Sequence, residues 1–149
     1  MKYILYKVYG TTWNSILRSC VKNSPESPYM AACWWNVSIE RQKKGAPKVK
    51  LVSRMIMPYL NNPVATSLQN KWDQRMNKLF CHELGHYNAG VYLKQKVEKY
   101  INENPSKSYE ETAAFLDKQG VIIKKLEKQY NKNTEHGKTN FEFEPFHLC

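Results

Sequence analysis

The most constraining feature of the sequence is a change in the spacing of its apolar residues near residue 66. Before this point, apolar residues alternate with polar ones, and this period of two is typical of strands. After it, apolar residues recur every three or four positions, and no proline interrupts the chain between Pro63 and Pro105. The pattern therefore predicts an α+β fold in which a small sheet is followed by long helices.

The alternating part predicts three strands, over residues 3–9, 30–42 and 48–60. Thr11 or Thr12 is expected to cap an early helix between the first two strands. We expect a small antiparallel sheet, and a further edge strand at residues 141–143.

The helical part predicts two long helices. The first should cover about residues 66–102, and the second about residues 108–130, where Ser108 and Glu111 have the spacing of a capping box. The short connection at about residues 104–107 makes the two helices antiparallel neighbours. We therefore expect a single domain over residues 1–149, with the sheet packed against this helix pair.

Composition limits the classes of function. The chain has 42% hydrophobic residues and a formal net charge of +10. Such a charge is most simply a solvated basic face, and it also favours an anionic partner such as a cell-envelope polymer or surface. No basic-aromatic motif of a nucleic-acid module occurs, so no specific nucleic acid is predicted. No apolar run has the roughly 18 residues of a transmembrane segment.

The N-terminus and the cysteines bear on the compartment. The first ten residues do not form a signal peptide, so the protein is either cytoplasmic or has lost a leader. The four cysteines allow two disulfides or none, and no CxxC motif occurs. If the protein is exported, a Cys20–Cys33 bond or a bond that involves Cys149 becomes an expectation. Cys81 is the remaining cysteine.

The pattern H-E-x-x-H, at residues 82–86, lies inside the first long helix. His82 and His86 are four residues apart, and so both rings project from one face and can bind one zinc ion. Glu83 is turned about 100° from His82, which places it beside a metal-bound water as a general base. Gly85 is unusual inside a helix and tolerates the close approach of another group.

A catalytic zinc ion needs three protein ligands and one open position. An extended motif would place the third histidine at position 92, which is a tyrosine here. A glutamate on the next helix, Glu110 or Glu111, is one solution. Another histidine is the other solution, and only His136 and His147 remain.

The sequence resembles the bacterial family of predicted secreted zinc-dependent proteases, which has long been described as a domain of unknown function. The resemblance covers most of the chain. It rests on the segments YKVYGTT, ACWWNVSIE, VSRMIMPYL, KWDQRMNKLFCHELGHYNAG and YNKNTEHG, of which the H-E-x-x-H and T-x-H-G elements are the specific ones.

The resemblance implies that His82, His86 and His136 bind Zn²⁺ and that Glu83 is the base. It also implies a secreted or periplasmic protein whose leader has been removed. The family often has an aspartate after the tyrosine of its last element, and this chain has Asn131 there. A carboxylate at that position is therefore missing.

Helix lengths favour the same third ligand. The first helix runs about 28 Å from His86 to the turn near residue 105, and an equal return along the second helix ends near residue 127. His136 follows within ten residues, whereas Glu110 and Glu111 lie at the far end. Glu127 and Glu135 are the fallback ligands if His136 is not one.

Tyr130 ends the second helix and leads into the His136 loop, so its hydroxyl is a candidate donor to the oxyanion of a tetrahedral intermediate, with simple packing as the alternative. We expect a zinc-dependent hydrolase, specifically a peptidase, that acts on a protein or peptide. The alternative is a non-catalytic, zinc-stabilised module that binds an anionic envelope polymer or a protein partner. A third class is nucleic-acid binding driven by the basic charge.

Overall fold

The computed structural model describes residues 1–138. Its fold is α+β, with a three-stranded sheet, an early helix and two long helices. The predicted edge strand at residues 141–143, together with His147 and Cys149, lies outside the described residues.

The sheet contains β1 (Lys2–Val8), β2 (Ala32–Glu40) and β3 (Lys48–Leu60), in the order β1-β3-β2. Strand β2 pairs with β3 in antiparallel fashion, but β1 pairs with β3 in parallel. The sheet is therefore mixed, and the prediction of an antiparallel sheet was wrong. Alternation identifies which face of a strand is buried, and it contains no information on the direction of the neighbouring strand.

Helix α1 (Trp13–Asn23) follows β1 and packs against it. Thr12 caps the helix and forms a capping box with Ser15. Ile16 and Cys20 are the buried residues of α1, and they join Tyr6 and Val8 in one cluster of the core. Helix α1 thus covers the β1 side of the sheet.

Helix α2 (Thr66–Glu103) crosses the sheet and packs on β2 and β3. Gly90 allows this close approach, because a Cβ atom there would lie 3.0 Å from the Trp35 ring and 3.1 Å from Leu51. Leu93 and Val97 continue the buried face of α2. The main core therefore lies between the sheet and the α2 face that contains Ala89, Leu93 and Val97.

Helix α3 (Tyr109–Asn133) returns along α2. The predicted capping box of Ser108 and Glu111 is present at its start. The Tyr100 and Phe115 rings stack at 4.0 Å near one end of the pair, and His86 contacts Glu127 near the other. The two helices are therefore antiparallel, as predicted. None of the helices in the described part of the chain is long and apolar enough to cross a membrane.

The described cysteines include two free thiols, Cys20 and Cys33. The expected Cys20–Cys33 disulfide is therefore absent. Burial raises the pKa of both thiols, to about 11 for Cys20 and about 12 for Cys33, so neither is a reactive thiolate. A disulfide that involves Cys149 lies outside the described residues.

Candidate metal centre

The two histidines of the H-E-x-x-H segment lie side by side on α2, facing α3. Their ring centroids are 4.9 Å apart in an edge-to-face arrangement. His82 is only 4% exposed, and His86 is partly buried. The four-residue spacing thus places both rings together on the covered face of the helix, as expected from helical geometry.

The His82 ring is held in one tautomer. Its Nδ1 atom lies 2.9 Å from the Thr134 hydroxyl oxygen, and this hydroxyl donates its single proton to the Tyr130 carbonyl at 2.8 Å. The Thr134 oxygen therefore accepts the proton of His82 Nδ1, and the lone pair of the ring is at Nε2. Burial lowers the pKa of His82 to about 3, so the ring is neutral. A neutral imidazole with an unprotonated Nε2 is the form that binds a metal ion.

The His86 ring is held between two oxygens. Nδ1 lies 3.0 Å from Glu127 Oε1, and Nε2 lies 2.9 Å from Asn131 Oδ1. Burial lowers the pKa of His86, but the hydrogen bond to Glu127 and the nearby negative charges outweigh burial and raise the pKa overall. The Glu127 carboxylate only accepts hydrogen bonds, so His86 carries a proton on Nδ1. A metal ion would bind at Nε2 in place of the present contact with Asn131.

Glu127 connects α3 both to the histidine pair on α2 and to strand β2 of the sheet. Besides His86, it accepts a hydrogen bond of 2.9 Å from the Trp35 indole. A carboxylate on Nδ1 of a histidine fixes the ring orientation and directs Nε2 to a metal ion. Sequence reasoning considered Glu127 only as a fallback ligand, but its contact with Nδ1 gives it an orienting role.

Glu83 is the buried carboxylate of the segment, with 5% exposure. Burial raises its pKa to about 7, although the His86 charge and the Cys33 backbone N–H, which donates to the carboxylate, both lower it. A carboxyl group with a pKa near neutrality can both accept and return a proton. Glu83 thus has the properties of a general base.

His136 lies in the turn that follows α3. Gly137, the next residue, packs so closely on His82 that a Cβ atom at Gly137 would be 3.0 Å from His82 Cβ. His136 lines a cavity of about 670 Å³ together with His82, Glu83 and His86. The turn therefore brings the predicted third histidine to the histidine pair.

Tyr130 is a packing residue in this arrangement. It is 0% exposed, its ring stacks on His82 at 5.0 Å, and its hydroxyl donates to the His82 carbonyl at 3.2 Å. Tyr130 is not among the residues that line the cavity. Gly85 explains the fit, because a Cβ atom there would lie 2.3 Å from the Tyr130 oxygen. The geometry gives no support to Tyr130 as an oxyanion donor.

The glutamates at the start of α3 are engaged elsewhere. Glu110 forms an ion pair with Arg41, and Glu111 caps α3 and contacts Lys107. Both lie at the end of the helix pair that is remote from His86. The prediction that neither reaches the histidine pair is therefore confirmed.

A zinc ion requires at least three protein donors around one point. Over residues 1–138, no three His, Cys, Asp or Glu side chains are already arranged around one point. Asn131 Oδ1 instead faces His86 Nε2, and the Asn131 amide is also hydrogen-bonded to the His82 ring. Two histidines with anchored Nδ1 atoms fit a zinc ion at their Nε2 atoms. Binding there requires the Asn131 amide to move aside and a third donor to approach the pair.

Arg75 is a cavity residue for which sequence reasoning gave no role. It precedes His82 by seven residues, and its Nη1 atom donates to the Gly137 carbonyl at 2.9 Å. The i, i+7 spacing from His82 was the available signal, because such residues share one helix face.

Fold and site together define a small α+β protein whose long helix presents a buried H-E-x-x-H segment to a covering helix and turn. The chain belongs to the family described as "Bacterial protein of unknown function (DUF922)", which matches residues 3–137. No curated protein and no solved structure matches the chain.

Proposed function

We propose that this protein is a zinc-dependent hydrolase that cleaves peptide bonds. His82, His86 and His136 are the zinc ligands, and Glu83 is the general base. The observation that supports the proposal best is the anchoring of both Nδ1 atoms, by Thr134 Oγ1 at 2.9 Å and Glu127 Oε1 at 3.0 Å. Such anchoring leaves two Nε2 atoms for one metal ion.

The role of each group in the proposed reaction follows from its chemistry. Zinc, when bound, would supply Lewis acidity and polarise the scissile carbonyl. Glu83 accepts a proton from the attacking water and delivers it to the leaving nitrogen. The burial of this carboxyl group, which raises its pKa to about 7, makes both transfers accessible near neutral pH. By the family resemblance, the protein works outside the cytoplasm.

The test compares wild-type protein with Glu83→Gln, after metal removal and reloading with zinc. Glu83→Gln should bind one zinc ion per chain and lose hydrolysis of denatured casein by at least a hundredfold, because the amide cannot accept the proton. Glu98→Gln is the matched control, since Glu98 lies on the same helix in an ion pair with Lys94. Near wild-type turnover by Glu83→Gln would exclude this carboxylate as the base.

A second candidate function has one observation in its favour. Asn131 Oδ1 lies 2.9 Å from His86 Nε2, so after moving aside to admit a metal ion it would still be close enough to become the fourth ligand. A closed sphere of four protein ligands is typical of structural zinc, in which case the protein is a zinc-stabilised binding module for an anionic polymer or a protein partner. X-ray absorption of the zinc-loaded protein distinguishes the two functions: three protein ligands and water support the hydrolase, and four protein ligands support the module.

A further inference from the structure

Arg75 places a guanidinium group in the wall of the cavity that contains the candidate metal centre. It lies on α2 two helical turns before His82, which is about 10 Å along the axis. One of its N–H groups is fixed by the Gly137 carbonyl at 2.9 Å. A guanidinium has five N–H donors, so the Gly137 contact leaves most of them for another acceptor.

Arg75 has no carboxylate partner among residues 1–138. Over residues 1–138, no Asp or Glu oxygen lies within 4.0 Å of it, whereas Arg41 and Arg54 form ion pairs with Glu110 and Glu26. Arg75 is also partly buried, and burial lowers its pKa. An anion that binds beside a partly buried cation offsets the cost of removing that cation from water.

The cavity wall contains one more basic side chain than acidic ones. Lys124, Lys128 and Lys138 line it besides Arg75, and none of these lysines forms an ion pair with a residue of the described chain. Three glutamates, Glu83, Glu127 and Glu135, also line the cavity, and Glu127 is already bound to His86 and Trp35. The basic excess favours one further anionic group, and the planar fork of Arg75 matches a carboxylate.

We propose that Arg75 binds a carboxylate of the substrate, and hence that the protein cleaves peptides with an acidic group near the scissile bond. The inference rests on the proposed hydrolase function. An extended peptide advances about 3.4 Å per residue, and so the 10 Å between Arg75 and His82 along α2 corresponds to about three residues. The carboxylate should lie within about three residues of the cleaved bond, either on an acidic side chain or at the C-terminus.

The first experiment measures carboxylate binding without hydrolysis. The Nε–H signal of Arg75 is followed by NMR, with and without one equivalent of zinc, during titration with three probes. N-acetylglutamate amide has only a side-chain carboxylate, N-acetylalanine has only a terminal one, and N-acetylglutamine amide has neither. At least one acidic probe should shift the signal saturably, and the neutral probe should not. The stronger acidic probe identifies the source of the carboxylate.

Arg18 is the internal control, because it is an exposed arginine on α1, away from the cavity. An equal response of Arg18 and Arg75, an equal response to the neutral probe, or no response of Arg75 at tens of millimolar probe would overturn the inference.

The second experiment measures cleavage preference. Zinc-loaded wild type, Arg75→Gln and Arg18→Gln digest a random peptide library, and mass spectrometry locates the cleaved bonds. Wild type and Arg18→Gln should favour one acidic position about ten- to a hundredfold over its amide counterpart, as a hydrogen bond to a charged group allows. Arg75→Gln should lose this preference, and Arg75→Lys should retain part of it. Zinc affinity of each variant detects any displacement of the turn that Arg75 holds through Gly137.

Different results would reject the hydrolase proposal and the proposal for Arg75. Cleavage by the wild type without an acidic preference would overturn the assignment of Arg75 and leave the hydrolase in place. Carboxylate binding at Arg75 without any cleavage would reject the hydrolase and leave Arg75 as the anion-binding group of a binding module.

Discussion

Replacing Gly85 with alanine would place a methyl group 2.3 Å from the Tyr130 hydroxyl oxygen and 2.6 Å from the ring carbon that bears it. Ordinary contact begins near 3.4 Å, so Tyr130 would have to move by about 1.1 Å. It has little room, because it is 0% exposed and stacked on His82. Its movement would also break the hydrogen bond to the His82 carbonyl.

The expected magnitude follows from three contributions. Overpacking of a core typically costs about 1–3 kcal/mol. A buried hydroxyl left without its acceptor costs about 1–3 kcal/mol more. Alanine gains about 1 kcal/mol over glycine in a helix. We therefore expect Gly85→Ala to lower the free energy of unfolding by about 3 kcal/mol.

Gly120→Ala is the matched control, since Gly120 lies inside α3 and a Cβ atom there meets nothing within 4 Å. It should stabilise the protein by about 1 kcal/mol. Urea denaturation of both metal-free variants should separate them by about 4 kcal/mol, and their Tm values by about 8–16 °C. Equal stabilisation by the two substitutions would refute the argument that Gly85 makes room for Tyr130.

Two further predictions concern the metal ligands. Asn131→Asp should tighten zinc binding by at least tenfold in competition with a chelator, because a carboxylate replaces the amide oxygen beside His86 Nε2; unchanged affinity would place the metal away from residue 131. His136→Ala should weaken zinc binding by orders of magnitude and His147→Ala should not, and equal affinities of the His136 variant and the wild type would return Glu127 or Glu135 as the third ligand.

The helices were the most predictable part of the fold. The absence of proline and the capping box predicted α2 over residues 66–102 and α3 over 108–130, and the observed bounds are Thr66–Glu103 and Tyr109–Asn133. These signals are local, because a helix satisfies its own backbone hydrogen bonds. The parallel pairing of β1 with β3 was missed, since strand direction depends on a distant partner.

In the candidate site too, local sequence predicted some residues and not others. The local motif identified His82, Glu83 and His86, and helix length alone placed residue 127 level with residue 86, where Glu127 now contacts His86 at 3.0 Å. The role of Glu127 in holding the ring, and that of Arg75 in the cavity wall, depend on how α3 and its turn approach α2. No local sequence pattern predicts contacts between segments that are distant in the sequence.

The turn that contains His136 has an unusual backbone conformation. Glu135, His136 and Gly137 all have positive φ, at 47°, 54° and 79°. For the two residues with a Cβ atom, this conformation costs roughly 1–2 kcal/mol each. The turn is held in place by hydrogen bonds from the His136 N–H to the Asn131 carbonyl at 3.1 Å and from Arg75 to Gly137. A strained backbone that its surroundings enforce is characteristic of functional sites.

Strain and ligation at position 136 can be separated by two substitutions. His136→Ala and His136→Gly both remove the imidazole and should weaken zinc binding equally. Only glycine also relieves the positive φ, so the metal-free glycine variant should be about 1–2 kcal/mol more stable to urea than the alanine variant. If the alanine variant were as stable as the glycine variant, the turn would not be strained at this residue. Equal loss of zinc affinity, together with unequal stability, would mean that the histidine keeps an unfavourable backbone conformation for the sake of its ring, as expected of a ligand.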